Sequence, residues 1–134
     1  MQELEGIAAA DARLGCRFPL PELPLPLARW VQIRTVGEGA EVEWNLDDSR
    51  AGAPGRLALY AGPGAPPDDL PASENRTVTP EGWTVARTPL AEAQPSLRPV
   101  VQVQWTTAAG LHLRLTGQGP WSTQEILSLA RSVA

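Results

Sequence analysis

The side chains of this chain that could do chemistry are few and lie far apart. His112 is the only histidine, Cys16 is the only cysteine, and all eleven basic residues are arginine. The absence of lysine excludes a Schiff-base lysine, a phosphate-loop lysine and a Ser-Lys dyad. His112 alternates with Leu111 and Leu113, so the pattern places it on the polar face of a strand. Since neither a second metal ligand nor a GxSxG turn accompanies it, we predict no catalytic residue, no metal and no cofactor.

Two carboxylates, those of Glu41 and Glu43, come closest to a catalytic pair. In a strand their Cα atoms would lie about 6 to 7 Å apart on one face. Glycosidases use two carboxylates at comparable spacing, but these flank a sugar cleft and occupy different environments. Alternation on a solvated sheet face produces the same spacing, so we interpret both as exposed residues. The aspartate pairs at 47–48 and 68–69 lack the spacing of an EF-hand loop and are not predicted to bind calcium.

A weak binding surface is indicated by Trp30, Arg34, Glu43 and Tyr60. Trp30 and Arg34 alternate with apolar residues, Glu43 is expected across from Arg34, and Tyr60 alternates with leucines in a later strand. Aromatic side chains beside arginine on an open sheet face are typical of binding surfaces. Cover by the proline-rich segment or by an N-terminal helix would explain the two aromatics equally well.

The charge distribution limits the partners. The net charge is −4, and residues 38–81 hold nine acids against three arginines, so nucleic acid is not an expected partner. No run approaches the roughly 20 apolar residues of a membrane span, and the first residues are acidic, so membrane insertion is not expected. As written the protein is expected to be soluble and cytoplasmic, or exported if the chain is an excised domain. Its partner, a protein or a small molecule, is not identified by the sequence.

Hydrophobic alternation predicts a first hairpin within residues 31–46. A two-residue loop at 38–39, or a four-residue loop at 37–40, brings apolar residues together on one side and opposite charges together on the other. The predicted partners are Ile33 with Trp44, and Arg34 with Glu43.

The last quarter of the chain carries the clearest local signals. A three-residue loop, residues 108–110, places Trp105 opposite Leu113, with Gly110 in the left-handed conformation. The following segment predicts a helix, because Ser122 and a glutamate three residues later form a capping box before an apolar stripe.

The remaining elements are predicted from the positions of glycine and proline and from hydrophobic periodicity. Residues 3–14 have helical spacing and end at Gly15, and the proline-rich residues 18–27 are expected to be extended across the body of the protein. Residues 21–24 also match the PxxP pattern, so a motif that binds a partner protein is an alternative for this segment. Strands are predicted at 56–60 and near 83–88, separated by a Gly-Pro loop.

With 134 residues, the chain is expected to form one domain, residues 1–134. The predicted fold class is α+β: an antiparallel sheet of about five or six strands, with the N- and C-terminal helices packed on one face and the other face open to solvent.

Residues 101–133 resemble a bacterial family of unknown function whose domains often form the outer, C-terminal part of membrane-anchored anti-sigma factors. The resemblance lies in the strand carrying Trp105, the short Ala-Ala-Gly hairpin, and the closing helix that begins after Ser122 and ends in Ala-Arg-Ser. From the given residues we expect neither the membrane anchor nor the zinc-binding segment of those proteins. The resemblance implies a non-enzymatic sensory or binding module and supplies no functional residues.

The leading functional hypothesis is a small binding or regulatory domain of unknown ligand. The alternative is a carrier of an apolar small molecule or lipid, held between a curved sheet and its helices. A cavity of several hundred cubic ångströms lined by Trp44, Trp105 and leucines would favour the carrier, whereas a solid core would favour the binding module.

Overall fold

A computed structural model describes residues 3–4, 6–21, 28–46, 55–66, 75–87, 100–118 and 121–133. Two helices and eight strands lie in these ranges. In chain order they are β1 (Glu3–Leu4), α1 (Ile7–Leu14), β2 (Ala28–Val36), β3 (Gly39–Leu46), β4 (Gly55–Gly62), β5 (Asn75–Val78), β6 (Thr84–Arg87), β7 (Val100–Thr106), β8 (His112–Gln118) and α2 (Thr123–Arg131).

All eight strands form one antiparallel sheet in the order β1-β2-β3-β4-β8-β7-β6-β5. The predicted α+β class with five or six strands is therefore wrong. The fold is mainly β, with seven strands of four or more residues, the two-residue β1 and two short helices.

The two missed strands lie at the edges of the sheet. Gly6, with a φ of 89°, separates β1 from α1, so residues 3–4 pair with β2 instead of beginning the predicted helix. β5 pairs with β6 in a region predicted to be loop. Such short strands have little periodicity of their own and depend on a neighbouring strand for their hydrogen bonds.

One face of the sheet, the apolar face, carries the core. The strand register aligns one apolar row across six neighbouring strands. Ala10 of α1 and Ile126 of α2 join the same buried cluster, so both helices cover this face. The aligned row consists of Ile33, Val42, Leu59, Leu115, Val103 and Val85.

The register predicted for the first hairpin is wrong by two residues. Ile33 lies opposite Val42 instead of Trp44, because the loop is 37–38 and Gly39 already belongs to β3. A Cβ on Gly39 would lie 2.4 Å from the Ala61 carbonyl oxygen, so only glycine allows the close approach of β4 here. Since strand side chains alternate with a period of two, a two-residue shift keeps every side chain on its predicted face.

The last hairpin and the closing helix are confirmed. Trp105 lies opposite Leu113, and Gly110 has a φ of 86° in the predicted loop. The Glu125 backbone N–H donates to Ser122 Oγ, while the Ser122 N–H donates to the Glu125 carboxylate, which completes the capping box. The strands predicted at 56–60 and near 83–88 correspond to β4 and β6.

The N-terminal region is confirmed in part. α1 ends at Gly15, whose φ of 72° gives the predicted left-handed stop. In the proline-rich segment, Phe18 is buried and its N–H donates to the Asp11 carboxylate, and Pro21 forms a β-bridge to Val133. Residues 22–27 lie outside the described ranges. Neither described helix has the length and apolar composition that a membrane span requires.

Candidate functional site

The second face of the sheet, the polar face, holds five interacting charges. We call them the charged cluster: Arg34, Glu41, Glu43, Arg56 and Arg114. The prediction that this face is open to solvent is wrong, since Glu41, Glu43 and Arg114 are only 4 to 5% exposed. Their side chains come from neighbouring strands and cover one another, a packing that single-strand alternation does not reveal.

The strand register places these charges side by side. Arg34 on β2 lies opposite Glu41 on β3, Glu41 opposite Tyr60 on β4, and Tyr60 opposite Arg114 on β8. Glu43 lies two residues further along β3 and therefore shares the face with Glu41. The cluster thus spans four adjacent strands and forms only when the sheet assembles.

Each carboxylate of the cluster accepts from two arginines. Arg34 Nη2 lies 2.5 Å from Glu41 Oε1 and 3.0 Å from Glu43 Oε1, so this one nitrogen bridges the pair. Arg114 Nη2 donates to Glu41 Oε2 at 3.2 Å, and Arg56 Nη2 donates to Glu43. These charge-assisted hydrogen bonds offset the desolvation of the two buried glutamates.

Arg56 differs from the other two arginines because 48% of its side chain is exposed. Partial burial lowers the pKa of Arg56, and the positive charge of Arg34 lowers it further, while Glu41 acts in the opposite direction. Arg56 therefore lies at the solvent-accessible end of the charged cluster.

A cavity of about 240 Å³ lies within the charged cluster. Ala58 forms part of its lining, and this small residue lies on β4 between Arg56 and Tyr60, opposite Glu43 and Thr116. Since all of these neighbours are larger, the alanine leaves space among them. The lining comprises Arg34, Glu41, Arg56, Ala58, Val100, Gln102, Arg114, Thr116 and Gln118.

A chain of polar hydrogen bonds runs along the polar face from this cavity. Gln102 Nε2 donates to Thr116 Oγ1, and Gln104 Nε2 donates to Gln102 Oε1, both at 3.2 Å. His112 Nε2 lies 2.9 Å from Gln104 Oε1. With the Gln104 amide oriented so that its Nε2 donates to Gln102, the Gln104 oxygen accepts from His112 Nε2. The histidine is thus part of a hydrogen-bond network with two glutamines.

A second cavity, of about 430 Å³, lies beside the turn between β5 and β6. Its lining includes Trp83 and Trp105, whose rings stack with centroids 4.8 Å apart and planes at 19°. Glu81 at its rim binds Arg131 of α2 at 2.7 and 3.2 Å. This hydrogen bonding from Arg131 lowers the pKa of Glu81 to about 2 and raises the pKa of Arg131. The turn is thereby tied to the closing helix.

Three of the four predicted binding residues meet on the polar face. Arg34 contacts Glu43 as predicted, although as a diagonal and not a direct partner. Tyr60 is 2% exposed, so the prediction that it stands open is wrong; its hydroxyl donates to the Gly64 carbonyl and Arg114 lies over its ring at 5.8 Å. Trp30 pairs with Asn45 in the ladder, and its side chain lies outside the described part of the structure.

Sequence reasoning missed most of the site. It took Glu41 for a solvated residue and did not single out Arg56, Arg114 or Gln102 as site residues. A signal was present, because Arg56 and Arg114 both occupy polar positions of alternating strands. Only the strand order β3-β4-β8 shows that these positions adjoin the two glutamates.

The described residues contain no group of three histidine, cysteine or acidic side chains arranged to hold a metal ion. Cys16 is exposed. No protein-family model, no curated protein and no solved structure matches the chain. The resemblance of residues 101–133 to the anti-sigma-factor family therefore stays a prediction.

Proposed function

We propose that this protein is a non-enzymatic binding module whose binding surface is the polar face of its sheet. The observation that carries the proposal is the charged cluster around a cavity of about 240 Å³. Buried ion pairs are poor stabilisers, because well-packed apolar residues of similar volume often give equal or greater stability. Charges gathered around an open space are therefore better explained by recognition than by folding.

The contacts of the reactive side chains support a binding role over catalysis. Glu41 and Glu43 both accept from arginines, so neither lies in the apolar surroundings that a general-acid carboxyl requires. His112 Nε2 is hydrogen-bonded to the Gln104 amide and not to a serine or cysteine nucleophile. The side chains orient one another and leave no activated group among these contacts.

The lining of the two cavities favours a polar ligand over the apolar carrier. Trp105, which the carrier hypothesis named, does line the larger cavity, but Arg76, Glu81 and His112 line it as well. Three arginines line the smaller one. A lipid chain would have to desolvate these charges without compensating them.

The proposal is tested by nitrogen-15 amide spectra of the purified chain during titration with five probes: succinate, glucose, glycine, putrescine and laurate. We expect at least one of the four polar probes to shift amides of β3, β4 and β8 around Ala58 and Thr116. Saturable shifts by laurate alone, centred on apolar-face residues such as Leu59 and Leu115, would establish the carrier instead. If none of the polar probes shifts the polar face, the proposal is wrong.

A further inference from the structure

We propose that the cavity at Ala58 is a site for a small organic anion, whose carboxylate or phosphate group binds Arg56 and Arg114. This inference rests on the proposed function and specifies its ligand. The remaining polar atoms of the ligand would face the amides of Gln102 and Gln118, which line the same cavity. The argument has three parts: charge, space and donor geometry.

The charge around the cavity favours an anion. The charged cluster sums to +1, three arginines less two glutamates, in a chain whose net charge is −4. The local excess is thus opposite in sign to the protein as a whole. About half of the Arg56 side chain is exposed, so an anion can approach this excess charge from solvent. Burial, and to a smaller extent the charge of Arg34, lowers the pKa of Arg56, while Glu41 acts in the opposite direction.

The space at Ala58 limits the size of the ligand. The cavity of about 240 Å³ corresponds to the liquid volume of about eight water molecules at roughly 30 Å³ each. Drug-sized ligands occupy pockets of about 300 Å³ or more. The site therefore fits a compound of roughly eight non-hydrogen atoms, the size of a four-carbon dicarboxylic acid or a small phosphate ester.

The donors suit an oxyanion. Arginine presents planar, forked N–H groups that match the two oxygens of a carboxylate or phosphate. Arg56 is about half exposed and donates Nη1–H to Gln118 and Nη2–H to Glu43. Arg114 is held in place by Glu41 and lies over the ring of Tyr60. The buried Nε of Arg34 has no hydrogen-bond acceptor among the described residues. A cationic ligand would be repelled by the three arginines that line the cavity.

The test measures succinate binding to the full chain at constant ionic strength, by titration calorimetry and amide shifts. Succinamide, which has the same size but no charge, and inorganic phosphate are compared with it. The variants are Ala58→Leu, which fills the cavity, and Arg56→Gln, which removes its accessible charge. Arg87→Gln is the matched control, because Arg87 is an exposed arginine on β6 that does not line the cavity.

We expect succinate or phosphate to bind the unmodified chain and Arg87→Gln equally, with amide shifts around Ala58. Binding should weaken more than tenfold in Arg56→Gln and be lost in Ala58→Leu. If Ala58→Leu does not fold, Arg56→Gln decides the matter, since Glu43 keeps Arg34 and Asn45 as donors when the half-exposed Arg56 is changed.

Three results would overturn the inference. Equal binding of succinate and succinamide would show a polar site that does not select charge, and the proposed function would survive. Anion binding that is unchanged in Arg56→Gln would place the anion away from Arg56, and the amide shifts would then decide whether the polar face binds it. Anion binding that is absent from the unmodified chain would remove the anion site altogether, and the proposed function would then depend on the neutral and cationic probes of the earlier titration.

Discussion

Removal of the Glu41 carboxylate should destabilise the protein more than any change on an exposed surface. Its side chain is 6% exposed and accepts from Arg34 at 2.5 Å and Arg114 at 3.2 Å. Loss of one partner from a buried ion pair costs about 3 to 5 kcal/mol. Arg34 retains Glu43 at 3.0 Å, so the loss falls mainly on Arg114. We therefore expect Glu41→Leu to lower the free energy of unfolding by about 3 kcal/mol, the lower end of this range.

The assay is urea denaturation followed by tryptophan fluorescence. A loss of about 3 kcal/mol would lower the midpoint by about 1 to 3 M, given a typical urea m-value of about 1 to 3 kcal/mol/M. Glu81→Leu is the control, because its ion pair with Arg131 is exposed and should contribute far less.

A double-mutant cycle separates the ion pair from simple packing. Arg114→Met combined with Glu41→Leu removes both charges, so the double variant should recover part of the stability lost in Glu41→Leu. If Glu41→Leu costs less than about 1 kcal/mol, or if the two losses simply add, the account of a desolvated and mutually dependent cluster is wrong.

Three further predictions concern α2 and its contacts. In the same denaturation assay, Ser122→Ala should lower the free energy of unfolding by about 0.5 to 2 kcal/mol, because the helix cap is lost. Leu129→Ala truncates a buried side chain and should lower it by about 2 to 5 kcal/mol. Equal and negligible losses would mean that α2 does not dock on the sheet. Gly117→Ala should be destabilising, because its Cβ would lie 2.4 Å from a side-chain carbon of the helix, and an unchanged midpoint would contradict this packing. Carboxyl-carbon NMR should give Glu81 a pKa below its ordinary value, and this pKa should return towards 4.5 in Arg131→Gln. Because the pKa of Glu81 is lowered in the folded state, the stability contributed by the Glu81–Arg131 pair should be present above about pH 4.5 and lost as the pH falls towards 2. An ordinary pKa for Glu81 would exclude its contact with Arg131.

The sequence predicted features that depend on residues close together in the chain better than features that depend on distant strands. The hairpin of β7 and β8 was predicted with its register, because a three-residue loop ending in Gly110 and two alternating strands leave one arrangement that pairs Trp105 with Leu113. The register of the first hairpin was predicted wrongly, because two registers that differ by two residues place the same side chains on each face of the hairpin. In the structure the turn is 37–38, with Gly37 in the left-handed conformation at a φ of 55°, and Gly39 packs against the backbone of β4, a strand beyond the hairpin itself.

The sequence alone determined the local elements of this protein: the capped closing helix, the stop at Gly15, the last hairpin, and which side chains share a face of each strand. These depend on residues a few positions apart, whose conformations and hydrogen bonds do not require the rest of the chain. The tertiary structure decided the strand order, and with it the fold class and the candidate site. Glu41 and Arg114 are 73 residues apart in the chain, and only the insertion of β4 between β3 and β8 brings them together. Alternation shows that each side chain faces away from the core, but whether it meets water or an opposite charge depends on which strands lie beside it.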